Sequence, residues 1–304
     1  MGDGLSGANV LLTGATGFIG SHCLERLVAA GSNIYAVNRT GTGPTALGVN
    51  WIAADLRDPE AVKALVRATG PTHVLHTAWN VTHGEFWHAP DNLDWLEAGL
   101  TLLRSLSQTP TVRFVGVGTC AEYDWSGESV ECVEDVTPVR PDTLYGKAKA
   151  AFWAAAQAVG AQAGYSVAWG RLFTPYGPGD NGQRLIPSLV RSLRDGRPFS
   201  MNKQALERDF IFASDVGDLL VRMLQSDTGG AFNVSSGNAV RLGDVAKYIA
   251  GRLGRLDLLT CQMTESGGHE PHRLVGISDK VHKAFDWQPS VELNKGLDHV
   301  LAAV

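Results

Sequence analysis

The segment Thr13-Gly14-Ala15-Thr16-Gly17-Phe18-Ile19-Gly20 follows the apolar run Asn9–Leu12 and leads into Phe18–Ala29, where apolar residues recur at helical spacing. Its three glycines therefore fall on the turn from a predicted strand to a predicted helix. Because glycine has no Cβ, such a turn can approach a pyrophosphate group, and the free N–H groups of the helix can bind it. The segment predicts the phosphate-binding turn of a dinucleotide-binding βαβ unit.

The next hundred or so residues repeat the alternation of short apolar runs with amphipathic stretches. The apolar runs show little alternation of polar and apolar residues, which is typical of strands covered on both faces. This pattern predicts an α/β fold with a Rossmann-type, doubly wound parallel sheet. Further strands are predicted at Asn33–Val37, Trp51–Ala53, His73–Leu75 and Arg113–Val117, and further helices at Pro59–Ala68 and Leu93–Leu106.

The pattern becomes less regular in the second half of the chain. Tyr145–Gln162 predicts an Ala-rich helix and Tyr165–Gly170 the strand after it. Thr174–Gly182 is rich in Gly, Pro, Asn and Asp, as expected of a binding loop. We predict a dinucleotide-binding domain over residues 1–173, to which residues 205–235 or so return, and a smaller α/β region over residues 174–304 that mainly binds substrate.

Composition limits the classes of partner. The 304 residues are 44% hydrophobic and 19% charged, which is enough to form a full core, and the formal net charge is -5. The chain has no basic run or polybasic tail, so nothing favours nucleic acid or an anionic membrane as a partner. An anionic ligand would therefore need a local basic pocket.

The cysteines and histidines do not predict a metal site. The four cysteines show no CxxC spacing, and an intracellular chain would keep them as thiols. Four histidines between positions 73 and 88 match no simple ligand spacing, so no metal is expected. The N-terminus lacks a basic segment followed by an apolar one, which makes the cytoplasm the expected location.

The end of the second predicted strand indicates which dinucleotide is bound. NAD-specific sites commonly place a carboxylate there for the adenosine ribose, but this chain has Asn38-Arg39-Thr40. A guanidinium can bind two oxygens of a 2′-phosphate, and the neighbouring side chains can add hydrogen bonds. NADP(H) is therefore favoured, while NAD(H) stays open.

A second pattern concerns proton transfer. Tyr145 and Lys149 lie four residues apart at the start of the predicted Ala-rich helix, so both side chains are on one face. A lysine charge beside a phenol favours the phenolate and would lower the pKa of Tyr145. The pair can exchange a proton with a carbonyl or an alcohol.

These motifs, with several others in the same order, resemble the extended short-chain dehydrogenase/reductase family and its nucleotide-sugar epimerases, dehydratases and reductases. The matching segments are TGATGFIG from Thr13, Asp55-Leu56, His76–Ala78, YGKAK from Tyr145, RLFTPYGPG from Arg171, RDFIFASDVGDLL from Arg208 and FNVSSG from Phe232. They extend over nearly the whole chain.

The resemblance implies which residues contact the cofactor. Asp55 and Leu56 are expected near the adenine, Thr77 and Ala78 along the cofactor, and Leu172 near the nicotinamide, in addition to Tyr145 and Lys149. The glycine turn is expected to contribute Gly14, Thr16, Gly17, Phe18 and Ile19, and the second strand Asn38, Arg39 and Thr40.

The resemblance also narrows the reaction. Thr119 occupies the family's Ser/Thr position, where the hydroxyl holds the substrate oxygen beside Tyr145. Dehydratases of the family have Asp and Glu after that Thr, whereas this chain has Cys120 and Ala121. The bifunctional fucose synthases have their epimerising cysteine where Ala121 stands. Neither chemistry is therefore expected, which leaves oxidation or reduction at one sugar carbon.

Three interpretations of the function follow from this. The first is an NADPH-dependent reductase of a nucleotide-activated 4-keto-6-deoxy sugar, with Thr119, Tyr145 and Lys149 as catalytic residues. The second is an NAD-dependent 4-epimerase, which would show the same three residues. The third is a non-catalytic NADP-binding regulatory protein.

Substrate and assembly are expected to follow the family pattern. Arg208 and Arg273 are candidates for binding the sugar nucleotide's diphosphate, and Thr174 lies where the family often has Asn. Trp79 and His83 follow a predicted strand at the carboxyl edge of the sheet, where ligands bind, so they are candidate walls of the sugar pocket. The helices Leu93–Leu106 and Phe152–Gln162 match those that pair in family dimers, so a homodimer is expected.

Overall fold

A computed structural model of the chain describes residues 4–261 and 270–303. Within these residues no helix combines the length and the apolar character needed to cross a membrane. The strands, in chain order, are β1 (Asn9–Thr13), β2 (Asn33–Asn38), β3 (Val49–Ala53), β4 (His73–His76), β5 (Arg113–Thr119), β6 (Ser129–Cys132), β7 (Ser166–Leu172), β8 (Thr174–Tyr176), β9 (Phe199–Met201), β10 (Glu207–Phe212), β11 (Gly230–Val234), β12 (Ala239–Arg241), β13 (Leu259–Cys261) and β14 (Arg273–Gly276).

The four helices predicted from the sequence, α1 to α4 below, begin and end close to the predicted residues. They are α1 (Phe18–Ala29), α2 (Pro59–Thr69), α3 (Asn92–Leu106), α4 (Leu144–Ala163), α5 (Leu185–Arg194), α6 (Ala213–Gln225), α7 (Leu242–Arg252), α8 (Asp279–Phe285) and α9 (Leu293–Ala303), with short 3-10 turns at Cys120–Glu122 and Leu256–Leu258. The bounds of α1 are those predicted, because its apolar face is continuous and Gly17 marks its start.

The main sheet confirms the predicted Rossmann-like α/β fold. Its seven strands lie in the order β11-β7-β5-β4-β1-β2-β3, and every pairing in it is parallel. The strand order reverses between β1 and β4, which opens a crevice at the carboxyl ends of these strands. Helices α1 and α6 cover one face of the sheet, and α2, α3 and α4 cover the other.

Smaller sheets stand beside the main one. Strand β10 pairs with β8, β12 and β14, and β14 pairs in turn with β6. A separate apolar core joins α5, α7 and α9 to β10. Strand β6 was not predicted, since its partner β14 lies some 140 residues later in the chain and local sequence carries no signal for such a pairing.

Candidate functional site

The glycine turn is shaped by close packing rather than by side chains. Gly14 has a φ of +71°, and a Cβ there would lie 2.7 Å from the Thr77 hydroxyl and 2.8 Å from the Ala78 nitrogen. A Cβ on Gly20 would collide with the Gly14 carbonyl oxygen. Gly17 precedes α1 and provides no side-chain cap, so the first N–H groups of the helix stay available to an anion. The turn therefore has the form that a pyrophosphate requires.

A cavity of about 600 Å³ opens from this turn along the carboxyl ends of β1 and β2. Most of the predicted cofactor contacts on this side lie on its wall, and so do Trp79, which was predicted for the sugar pocket, and several residues that the sequence did not indicate. The wall includes Gly14, Thr16, Asn38, Arg39, Thr40, Asp55, Leu56 and Ala78, together with Thr42, Arg57, Trp79, Asn80, Asp91 and Trp95. The volume and the elongated set of lining residues fit the adenosine diphosphate half of a dinucleotide.

The side chain of Asn38 builds the turn after β2 rather than facing a ligand. Its Oδ1 accepts hydrogen bonds from the backbone N–H groups of Thr40 and Gly41 at 3.1 and 2.7 Å, and its Nδ2 donates to the Thr42 carbonyl at 2.7 Å. Arg39, at the apex, is left exposed on the cavity wall. The turn thus presents a guanidinium where NAD-specific sites have a carboxylate.

Asp55, which the sequence predicts near the adenine, lines the cavity and is held by Arg57. Two side-chain hydrogen bonds, at 3.2 and 3.0 Å, join the guanidinium to the carboxylate. These bonds, helped by the charge of Arg39, lower the pKa of Asp55. Arg57 also stacks over Trp95 at 5.9 Å. The carboxylate is therefore ionised and fixed, so it can accept a hydrogen bond from an amino group of a base.

The three predicted catalytic residues come together at the carboxyl end of β5. Thr119 is the last residue of that strand and is paired in register with Leu172 of β7, the residue predicted near the nicotinamide. Gly146 lets the start of α4 approach closely, because a Cβ there would collide with the Ala121 carbonyl oxygen. Tyr145 consequently lies close enough to Thr119 for its hydroxyl to favour the ionised phenol.

The pKa of Tyr145 differs from the sequence expectation. Burial raises the pKa of the phenol well above its usual range, and the nearby Thr119 side chain offsets only part of this effect. The expected net lowering of this pKa was wrong, because burial outweighs any effect of the Lys149 ammonium, which lies 6.0 Å from the centre of the phenol ring. Tyr145 is therefore protonated at neutral pH.

Lys149 is enclosed by the protein. Its Nζ donates to the Val117 carbonyl oxygen at 2.7 Å and lies 3.9 Å from the centre of the Trp79 indole. Burial lowers the pKa of Lys149 to about 7, although the charge of Glu122 acts in the opposite direction. Trp79, which the sequence predicts as a wall of the sugar pocket, packs against this lysine and lines the cavity beside the glycine turn.

Aromatic side chains surround the Tyr145 ring. Phe86, Trp87 and Trp79 make edge-to-face contacts with it at 4.9, 5.9 and 6.4 Å, and Trp125 packs on Trp87 at 6.1 Å. His83 is exposed on the same segment, outside this cluster. The sequence did not indicate Phe86 or Trp125, since neither follows a motif.

Asn92 holds this aromatic segment in place. It is buried at the start of α3, donates to the carbonyl oxygens of Phe86 and Ala89 at 2.7 and 2.8 Å, and accepts from the Trp79 indole N–H at 2.9 Å. All of its principal hydrogen-bonding groups are thus used inside the protein. Asn92 therefore holds the segment that covers Tyr145 together with the Asn80–Asp91 hydrogen bond and the bond from the Tyr145 backbone N–H to the Trp87 carbonyl.

The two predicted diphosphate-binding arginines have different surroundings. Arg208 on β10 is buried; one guanidinium nitrogen lies 2.7 Å from Glu270, and its charge reaches the Cys120 thiol in the catalytic turn. Arg273 on β14 is half-buried between Glu131 and Glu207, at 3.4 and 3.3 Å. Arg208 therefore lies near the catalytic residues, while Arg273 is neutralised by two carboxylates.

The turn-rich segment after β8 brings another charged pair towards the site. Thr174 is partly exposed on β8, where it pairs with Phe210. Burial raises the pKa of Asp180 to about 6, although the positive charge of Arg184, 3.6 Å away, acts in the opposite direction. The Arg184 charge also acts on the Tyr145 phenol. The sequence indicated the segment but not this arginine.

Residues 10–235 match the model of the NAD dependent epimerase/dehydratase family, and the chain belongs to that family. The chain is 26% identical to dTDP-4-dehydro-6-deoxy-D-allose reductase of Streptomyces bikiniensis, over 97% of this chain and 96% of the relative. It is 20% identical to UDP-glucuronic acid decarboxylase 1 of Arabidopsis thaliana, over 99% of this chain and 71% of the relative. These relatives act on nucleotide sugars.

Solved structures agree with this assignment. The UDP-glucose 4-epimerase of Thermus thermophilus, in complex with NAD, superposes with a TM-score of 0.84 and 26% identity, covering 97% of this chain and 98% of the epimerase. The glycine turn, the cavity and the family together support a nicotinamide dinucleotide as the cofactor. The resemblance inferred from the sequence motifs is confirmed.

Proposed function

We propose that this protein is an NADPH-dependent reductase of a nucleotide-activated 4-keto-6-deoxy sugar. The observation that carries the proposal is the turn after β2, which presents Arg39 on the wall of the cofactor cavity and contains no carboxylate. A guanidinium there favours a cofactor with a 2′-phosphate. The likeness to the Streptomyces reductase supports the same assignment.

The chemistry that the cofactor supplies when bound is hydride transfer to carbon 4 of the sugar. Thr119 holds the carbonyl oxygen by its hydroxyl, next to Tyr145. Tyr145 donates its phenol proton to that oxygen as the alcohol forms, and solvent later restores the proton. Because burial raises its pKa, the phenol is protonated and ready to donate at neutral pH.

Lys149 serves this step by its charge. The ammonium is held between the Val117 carbonyl and the Trp79 indole on the same helix face as Tyr145, where it stabilises the phenolate left after proton donation. Its own pKa near 7 means that this charge is present in the neutral to acidic range. The buried aromatic surroundings exclude water and strengthen these interactions.

The proposal is tested by following NADPH absorbance with purified protein and 4-keto-6-deoxyglucose carried by dTDP or UDP. We expect one NADPH consumed per ketone reduced, and much slower use of NADH. Conversion of UDP-glucose to UDP-galactose without added reductant would instead identify a 4-epimerase, the alternative favoured by the NAD-bound Thermus neighbour. Absence of both activities would leave a regulatory role. Reductase activity that survived Tyr145→Phe would contradict the mechanism.

We also propose a homodimer formed through α3 and α4 in the cytoplasm. Two leucines on α3, Leu93 and Leu100, are 54% and 39% exposed, and small residues line the outer face of α4. Light scattering after gel filtration measures the assembly directly. We expect a dimer for the natural protein and a monomer for Leu100→Lys.

A further inference from the structure

The carboxylate of Glu122 lies behind the catalytic Thr119 and contacts it directly. Glu122 is fully buried, and its Oε1 accepts a hydrogen bond from the Thr119 backbone N–H at 2.9 Å. In return, the Thr119 hydroxyl accepts from the backbone N–H of Ala121 at 3.2 Å. These two bonds form a reciprocal capping box around the 3-10 turn Cys120–Glu122. The box fixes both the backbone and the side chain of Thr119.

The carboxylate is itself held from two further sides. The Trp169 indole N–H donates to Oε1 at 2.9 Å, and the Arg171 Nε donates to Oε2 at 2.8 Å. The Arg171 guanidinium stacks on Tyr123 at 4.6 Å, and the Tyr123 hydroxyl donates to Asn233 at 2.7 Å. The carboxylate thus accepts three hydrogen bonds, which the low local dielectric strengthens, while the Nη1 of Arg171 is buried without a hydrogen-bond partner.

Strand β5 is adapted to hold this carboxylate. A Cβ on Gly118 would collide with the Glu122 Oε1 and with the Trp169 indole nitrogen. A Cβ on Gly116 would collide with the Trp169 ring. Both glycines have negative φ, so the backbone does not require them. They leave the space that Trp169 and Glu122 occupy.

We propose that Glu122 is a positioning residue for the reaction, acting through Thr119 to place the hydroxyl that holds the substrate oxygen beside Tyr145. Full burial behind β5 keeps the carboxylate from touching the substrate. Its contribution is therefore geometric, and it depends on the presence of the Thr119 hydroxyl. The kinetic test of this inference rests on the proposed function, whereas a second test, by amide hydrogen exchange, needs no substrate.

The test is Glu122→Gln, alone and with Thr119→Val. Oε1 accepts two hydrogen bonds and Oε2 accepts one, so the amide NH2 group meets a donor in either orientation. It releases the contacts of Thr119 and Trp169 in one orientation and the contact of Arg171 in the other. We expect kcat to fall about tenfold to a hundredfold in the natural background, as for small misplacements of catalytic groups, with KM nearly unchanged. In the Thr119→Val background, Glu122→Gln should lower kcat by less than about twofold, because the hydroxyl that Glu122 positions is absent.

A purely structural role predicts a different result. Loss of stability alone would lower activity by the same factor in both backgrounds, and that outcome would overturn the proposal, as would a natural kcat for Glu122→Gln. Asp215→Asn is the matched control, since Asp215 is also buried and accepts from the backbone N–H groups of Ser290 and Val291, far from the catalytic turn. If Glu122→Gln does not fold, the double variant Glu122→Gln/Arg171→Met, which removes both charges of the buried ion pair, takes its place in the test.

Amide hydrogen exchange of Thr119, followed by NMR on the protein without substrate, separates the two proposals. Glu122→Leu/Arg171→Met, which removes the acceptor of the Thr119 N–H and leaves no unpaired charge, should accelerate this exchange at least about tenfold, while amides of α9 keep their natural rates. If no 4-keto sugar nucleotide is reduced but Thr119 exchange accelerates, the proposed function fails and the positioning contact stands. Unchanged Thr119 exchange would refute the positioning role whatever the substrate.

Discussion

The ammonium of Lys149 lies 3.9 Å from the centre of the Trp79 indole ring, so the charge that serves proton transfer rests on an aromatic face. A cation on an indole is stabilised by about 0.5–2 kcal/mol. That interaction favours the charged lysine and opposes the burial that lowers its pKa to about 7.

Trp79→Leu should therefore shift the alkaline limb of the pH-activity profile towards lower pH. Loss of the aromatic face lowers the Lys149 pKa by up to about one unit. Trp79→Phe keeps an aromatic ring beside the ammonium, so its alkaline limb should lie close to that of the natural protein. The measurement is kcat against pH for the three proteins at saturating substrates. An alkaline limb that stays in place in a folded Trp79→Leu protein would show that the indole does not act on Lys149.

Replacement of Arg39 should discriminate between the two cofactors. Charge-assisted hydrogen bonds contribute about 1.5–3 kcal/mol, so Arg39→Ala should raise the KM for NADPH about tenfold to a hundredfold. The KM for NADH should change less than about twofold, because NADH has no 2′-phosphate. Arg67→Ala, an exposed arginine on α2, is the control. Equal losses with both cofactors would argue against a phosphate contact.

Lys149→Met should abolish activity and stabilise the fold. The folded pKa of about 7 lies below the ordinary 10.5, so between these values the unfolded chain binds a proton that the folded chain does not. The free energy of unfolding of the natural protein therefore rises with pH across this window. The destabilisation caused by burying the Lys149 amine is complete below pH 7 and disappears near pH 10.5. We expect a gain for Lys149→Met of about 2–4 kcal/mol at pH 7, from removal of the buried amine.

Urea unfolding at pH 6, 8 and 10 measures this effect, and the gain should shrink as pH approaches 10.5. Lys147→Met, an exposed lysine on the same helix, should change the free energy of unfolding by less than about 0.5 kcal/mol. A Lys149→Met protein less stable than the natural one at pH 7 would contradict the prediction.

Asn92→Leu should loosen the aromatic segment over Tyr145. The substitution leaves the carbonyl oxygens of Phe86 and Ala89 and the Trp79 indole N–H without partners, which should cost about 3 kcal/mol of stability. Hydrogen exchange of residues 80–91 should accelerate. The exposed Asn50→Leu should stay within about 0.5 kcal/mol of the natural protein. Equal stability of Asn92→Leu and the natural protein would show that Asn92 is dispensable.

Local sequence determined the core of the fold. Helix α1 and strand β2 were predicted almost to the residue, because side-chain periodicity and the glycine turn depend on residues close together in the chain. The same holds for Tyr145 and Lys149, whose four-residue spacing places them on one helix face. One local signal was available but not used: Thr119 and Glu122 have the spacing of a capping box.

The contacts and the protonation states of these side chains were decided by the tertiary structure alone. Trp79 and Lys149 are 70 positions apart in the sequence, and their contact arises only when the segment after β4 packs against α4. The pKa of Tyr145 rises because residues from several segments exclude water from the phenol, which no local pattern reports. Sequence thus determined which reactive groups are present and on which elements, whereas long-range packing set their charge states and their neighbours.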